Sequence, residues 1–156
     1  MTTALMLLLG IVLTAGTFVF VSAEFSLVAV DQAVLDKKAE EGDRGAASVL
    51  RATRTLSTQL SGAQVGITLT TILLGYTTQS ALADLLKELL GSVGLAWGLA
   101  TGIAAFVSAA FINVFSMLFG ELVPKNLALA HPLATAVRVV PFQMAFTAIA
   151  RPVIWV

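Results

Sequence analysis

Glu121 stands inside the apolar run FINVFSMLFGELVPKNLALA, residues 111–130, and the nearest charge before it is Glu88. A carboxylate at the centre of a membrane span costs at least about 2.5 kcal/mol. Its presence points to an ion site, a proton relay or a buried pair. Further oxygen-bearing groups recur at helical spacing. Ser22 and Ser26 are four apart and share a helix face. Asn113 precedes Glu121 by eight residues, about 12 Å along a helix axis and on a similar face. Gly66 has no side chain and can bare its carbonyl, with Gln64 and Thr70 nearby. Hydroxyl, amide, carbonyl and carboxylate oxygens suit hard cations: Mg²⁺, Ca²⁺, Mn²⁺ or Na⁺. One carboxylate among neutral oxygens lets a divalent ion bind and still leave. Simpler readings stand beside this one. Each serine can back-bond to the carbonyl one turn earlier. Glu24 can pair with a basic residue near the inner interface, and Glu121 with Lys125, four residues on.

Composition says what must position these groups. The chain is 58% hydrophobic and 12% charged, against roughly 25% charged in ordinary soluble domains. That is the composition of an integral membrane protein. Nine basic and nine acidic residues balance, which gives no argument for a nucleic-acid partner. With no cysteine, disulfides, thiolate metal sites and Cys nucleophiles are excluded. His131 is the single histidine; alone it builds no multi-His site, and before Pro132 it reads as a helix-boundary or interfacial residue. No Ser–His or paired-aspartate arrangement, HExxH or phosphate-binding loop is present, so an enzyme is not expected.

The spacing predicts an all-α membrane domain with three spans. The first covers about 4–30; with no Lys or Arg before it, it is a span and not a signal peptide. Residues 31–59 form a helical connection of mixed charge, broken at Gly42 and Gly45, with a solvated face. The second span, about 60–82, is uncharged and rich in small and hydroxyl residues, with Gly62 and Gly66 in GxxxG spacing. Such a helix should face protein. A polar break follows at 83–94. The third span covers about 95–121, with Gly98 and Gly102, and Pro124 should kink or end it. Residues 127–156 are apolar but cut by Pro132, Pro141 and Pro152. They could form a fourth span, but the prolines cut them into pieces shorter than the roughly 20 residues a span needs, so they read as broken amphipathic helices lying at the interface as a belt, with Trp155 at interfacial depth. Five basic residues in the first connection against Lys87 in the second place the first in the cytoplasm. The N-terminus is then outside and the C-terminus inside. The chain stops in apolar sequence at Val156, so a cytoplasmic portion is expected beyond it.

Three runs carry a resemblance: FVSAEFSLVAV (20–30), QVGITLTTILLG (64–75) and especially FGELVPKNLAL (119–129). In this order they resemble the transmembrane domain of the CorC/CNNM magnesium transporters, over nearly the whole chain. The resemblance implies a homodimer, each subunit with three spans and a juxtamembrane belt helix, in the cell membrane. It implies Mg²⁺ efflux coupled to Na⁺ influx, with ATP acting only through CBS domains that this chain lacks. By position, the family's first-helix serine falls on Ser22, its second-helix segment on Gln64 to Gly66 and its glutamate on Glu121. Ser26 occupies a position often alanine in relatives, and Asn113 is added from oxygen chemistry and spacing. The expected ion site is therefore Ser22, Ser26, Gly66, Asn113 and Glu121, open to the cytoplasm and operated by alternating access. A passive divalent-cation channel, and a non-transporting membrane anchor or sensor for cytosolic domains, are the competing readings.

Overall fold

The computed structural model describes residues 2–154; Trp155 lies outside them. Its elements are all helical. They are α1 (Thr2–Ala29), α2 (Gln32–Glu40), α3 (Arg44–Thr53), α4 (Leu56–Leu74), α5 (Ser80–Ser92), α6 (Trp97–Phe115), α7 (Val123–Ala130) and α8 (Pro132–Ile154). Wider π-helical turns at Gly75–Gln79 and Ser116–Leu122 join α4 to α5 and α6 to α7 without a break.

α1 is the axis of the bundle. In its first half Gly10, Leu13, Thr14 and Thr17 form one buried stripe at helical spacing. Farther on, Val21, Ser22, Ala23, Ser26 and Leu27 are all buried, because α4, α7, α8 and α3 close around this end. α4 runs antiparallel to α1. Thr78 Oγ1 donates to the Met6 carbonyl at 3.0 Å, Thr17 and Thr70 share a hydroxyl bond at 2.7 Å, and Gly66 packs on Phe20.

The charged connection folds as a helical hairpin. Asp31 and Asp43 cap α2 and α3, each accepting from two amides of the first turn. Gly42 turns the chain between them at φ +93°, a conformation that suits glycine. Leu35, Ala46, Val49 and Ala52 then pack with Leu27, Val30, Ala136 and Val140 in one apolar cluster.

Three expected boundaries are corrected. The break at 83–94 is mostly helix: α5 continues to Ser92, carrying Asp84, Lys87 and Glu88, and only a short turn with Gly94 at φ +87° precedes α6. Lys87 Nζ lies 4.1 Å over the Trp97 ring across that turn. Pro124 does not end the third span, which is helical over 34 residues, Trp97–Ala130. The π turn absorbs the missing donor: the Val123 amide reaches back to the Leu118 carbonyl, and Pro124 falls in the first turn of α7, where no amide is needed. The proline-rich tail is one helix of 23 residues, not broken pieces. Pro132 starts it, Pro152 lies in its last turn, and Pro141 alone interrupts its middle.

Nor is α8 amphipathic in the expected sense. Its buried stripe is Thr135, Ala136, Val140, Gln143 and Thr147, while Phe142, Ile149 and Val153 face outward. Three of these five buried residues are polar, and large apolar side chains face outward, as suits a helix against lipid. By length and hydropathy α1, Trp97–Ala130 and α8 are each long and apolar enough to cross a membrane. α4, the second expected span, is not among them. Ala134 and Thr135 of α8 line one cavity with Phe18 and Ser22 of α1, Phe142 and Phe146 pack on Phe20, and Ala136 and Val140 share the apolar cluster with Leu27 and Val30.

Candidate ion site

Ser22 and Ser26 lie on the enclosed end of α1, both fully buried. Ser26 Oγ donates weakly to the Ala23 carbonyl at 3.3 Å, whereas Ser22 Oγ has no partner. A buried hydroxyl left bare costs about 1–3 kcal/mol, so Ser22 is the serine with an unmet demand. It lines a cavity of about 410 Å³ with Phe18, Leu127, His131, Thr135 and Arg138. Gly66 faces the same end of α1 from α4 through its contact with Phe20, two residues before Ser22. Its carbonyl accepts the Thr70 hydroxyl at 2.9 Å. Glu24, half-buried, lies against the Gln64 side chain. These groups form one polar level where α1, α4 and α8 meet.

Asn113 and Glu121 are placed differently. Both are exposed on the outer surface of the third span. Asn113 Nδ2 donates to the Ala109 carbonyl at 2.8 Å, which leaves its oxygen free. Glu121 lies in the π turn beside buried Gly120, whose Cα packs against Thr17 of α1. Lys125, the alternative partner for Glu121, has its Nζ 4.9 Å over the Phe25 ring. The five expected ligands are thus not gathered into one cavity of the single chain. The expected common face of Asn113 and Glu121 assumed an unbroken α-helix, and the π turn between them changes the rotation per residue. Among the described residues, no three His, Asp or Glu side chains converge as a metal site.

Polar contacts absent from the sequence reading include the Thr17–Thr70 pair and the buried glutamines Gln59 and Gln143. An amide inside the apolar tail is a signal of its own, since Gln143 needs partners wherever that tail is buried. The two GxxxG pairs diverge. Gly62 and Gly66 are packed within the chain, against Thr147 and Phe20, whereas Gly98 and Gly102 face open space.

Apolar helices with long, lipid-compatible outer faces, wrapped around a level of buried hydroxyl and amide groups, define a multi-pass membrane domain. The chain belongs to the CNNM family: residues 8–156 match the Cyclin M transmembrane N-terminal domain. It is 44% identical to UPF0053 protein MT1890 of Mycobacterium tuberculosis over 91% of this chain and 31% of that protein. It is 38% identical to uncharacterized protein Rv1841c of the same species, over 94% of this chain and 41% of that one. UPF0053 protein YhdP of Bacillus subtilis is 33% identical over 96% of this chain and 34% of its own length. The chain therefore spans a third or somewhat more of the length of these relatives.

Proposed function

We propose that this domain transports Mg²⁺, moving it outward in exchange for Na⁺ by alternating access in a homodimer. The observation that carries the reading is Glu121, a lone carboxylate in a π-helical turn within a 34-residue apolar helix. π turns concentrate at functional sites, and an intramembrane acid marks an ion path. The oxygen-only chemistry of Ser22, Ser26, Gly66, Asn113 and Glu121 supports a hard cation, and membership of the CNNM family supports transport.

The separation of Glu121 from the serines supplies the moving part. Rewinding residues 116–122 from π to α geometry turns Glu121 around the helix relative to α1, with Gly120 as the close-packed pivot against Thr17. In one state the carboxylate joins Ser22, Ser26 and the Gly66 carbonyl around the ion; in the other it withdraws. The ion must shed water to enter such a site, which Mg²⁺ does reluctantly. The basic first connection supports an N-terminus outside and a C-terminus in the cytoplasm, with α8 as a belt. Gln64, Thr68 and Thr71 lie on the outer face of α4, a polar stripe better covered by a second subunit than by lipid.

Mg²⁺ flux into proteoliposomes, with and without a Na⁺ gradient, tests this on wild type and Glu121→Ala side by side. Gradient-dependent flux lost in the variant is expected. A fast current indifferent to Na⁺ would instead make the domain a channel. Wild-type flux in Glu121→Ala would remove the carboxylate from the mechanism.

A further inference from the structure

Two adjoining cavities open along the first turns of α8. One, of about 410 Å³, runs in beside Phe18 and Ser22 of α1 and Leu127 of α7. The other, of about 530 Å³, lies toward Lys38 and Asp43 of the α2–α3 hairpin. His131, Ala134 and Arg138 line both, so the two share a wall. Spacings of three and four residues put that wall on one face of the helix. Each volume lies in the range of small-molecule sites, about 300–1,000 Å³.

The inner cavity is apolar along Phe18, Leu127 and Val139, yet the Ser22 hydroxyl on its wall is fully buried and has no partner. Its occupant must cover apolar surface and also accept one hydrogen bond. Water does only the second. The outer cavity carries the exposed cations Lys38 and Arg138 and one acid, Asp43. α8 also begins here. Pro132 has no amide to satisfy, and the amides of Leu133 and Ala134, both on this cavity, have no acceptor within the helix. Their partial positive charge favours an anion. Asp43 Oδ1 is occupied by the Gly45 and Ala46 amides, which leaves its second oxygen able to accept a hydroxyl. Two cations against one carboxylate suit an occupant with a single negative charge.

We propose that this paired cavity binds one anionic phospholipid, a phosphodiester with a hydroxyl-bearing headgroup. Its phosphate sits at Arg138, Lys38 and the start of α8. Its headgroup hydroxyl donates to Asp43. Its ester region and upper chain enter the inner cavity, where an ester oxygen accepts from Ser22. Basic pockets between membrane helices hold anionic headgroups in this way. The site takes only Ser22 from the Mg²⁺ reading and stands without it. A serine that donates to the lipid keeps its lone pairs for a cation, so the two occupancies are compatible.

Thermal unfolding of the purified protein in detergent tests the site, with dioleoylphosphatidylglycerol titrated into the micelles. A saturable rise in Tm is expected. It should be absent with dioleoylphosphatidylcholine, which has the same chains, and with glycerol 3-phosphate, which has the phosphate without chains. Arg138→Gln should raise the lipid concentration for half-effect about tenfold, as loss of a charge-assisted bond would. Arg151→Gln, at the far end of α8, should leave it unchanged. Ala134→Leu, at an exposed position on the shared wall, narrows both cavities and should give the same loss if the Arg138 variant does not fold. Glu121→Ala should respond to the lipid as the parent does, so a failed Mg²⁺ assay and a failed lipid assay remain distinguishable. An equal rise with phosphatidylcholine, or a rise with glycerol 3-phosphate alone, overturns the proposal. So do equal shifts in the Arg138 and Arg151 variants, which would mark general attraction to a basic surface, and an unaltered half-effect in the Ala134 variant.

Discussion

The ring of Phe20 on α1 lies flat in the space that a side chain at Gly66 on α4 would need. A methyl at that Cα would come within 2.7 Å of three Phe20 ring carbons. The ring cannot swing aside, since Phe146 and Phe142 of α8 hold it at centroid distances of 4.7 and 5.7 Å. Gly66 therefore lets three helices meet at the level of Ser22. Gly66→Ala is expected to destabilise the fold by about 1–3 kcal/mol through overpacking. Thermal or denaturant unfolding in detergent measures this, and a variant as stable as the parent would show the ring free to move.

Glu121 contrasts with Gly66 in being exposed on the chain. Glu121→Gln should change stability by no more than about 0.5 kcal/mol, as expected of a surface site. Its Mg²⁺ affinity by calorimetry should fall at least tenfold, a loss of about 1.4 kcal/mol. Binding loss with stability retained separates an ion ligand from a structural anchor. A variant equally destabilised and deficient would favour the anchor.

The residues that were legible in advance are those whose role is set by local pattern. The first span follows from an unbroken apolar run, the two short helices within 31–54 from its charges and glycines, and the Ser22–Ser26 face from four-residue spacing. What was hidden depends on tertiary packing. The π turns at Gly75–Gln79 and Ser116–Leu122 leave no periodic mark in an apolar run, yet the second changes the rotation between Asn113 and Glu121 and so the face each presents. The charges of Asp84, Lys87 and Glu88 read as a loop, but a helix end projecting from the bundle carries charge freely. The three prolines of the tail suggested pieces, but two of them fall in end turns, where a proline costs little. The role of Gln143 is not legible in the sequence, because its partners, the Gln59 carbonyl and Thr147, come from another helix and a later turn.

Asp43 holds the start of α3 by accepting from the Gly45 amide at 2.8 Å and the Ala46 amide at 3.1 Å. Asp43→Ala should cost about 0.5–2 kcal/mol. The loss should be local, since Ala46 and Val49 anchor α3 on α8 through the apolar cluster. Hydrogen exchange should show faster exchange at the amides of residues 45 and 46 with the spans unaffected. Unchanged protection there would mean that packing alone sets the start of α3.

The Thr17–Thr70 pair offers a measure of what a hydroxyl contact between membrane helices contributes. Its oxygens lie 2.7 Å apart, but each hydroxyl has a single proton and a main-chain acceptor of its own. Thr17 can donate to the Leu13 carbonyl at 3.1 Å, and Thr70 to the Gly66 or Ile67 carbonyls at 2.9 and 3.0 Å. Only one of the two can donate across the contact at a time, and in doing so it gives up an in-helix bond. The interhelical bond is therefore an exchange, and its net value should be small. A double-mutant cycle with Thr17→Val and Thr70→Val should return a coupling of about 0.6 kcal/mol, the average for such bonds in membranes, and below about 1.7. A larger coupling would mean that the pair bonds a third group, since one shared proton cannot supply it. A coupling of zero would mean that both protons stay within their own helices and that the 2.7 Å approach reflects packing of Gly16 and Gly66 on the facing helices rather than attraction.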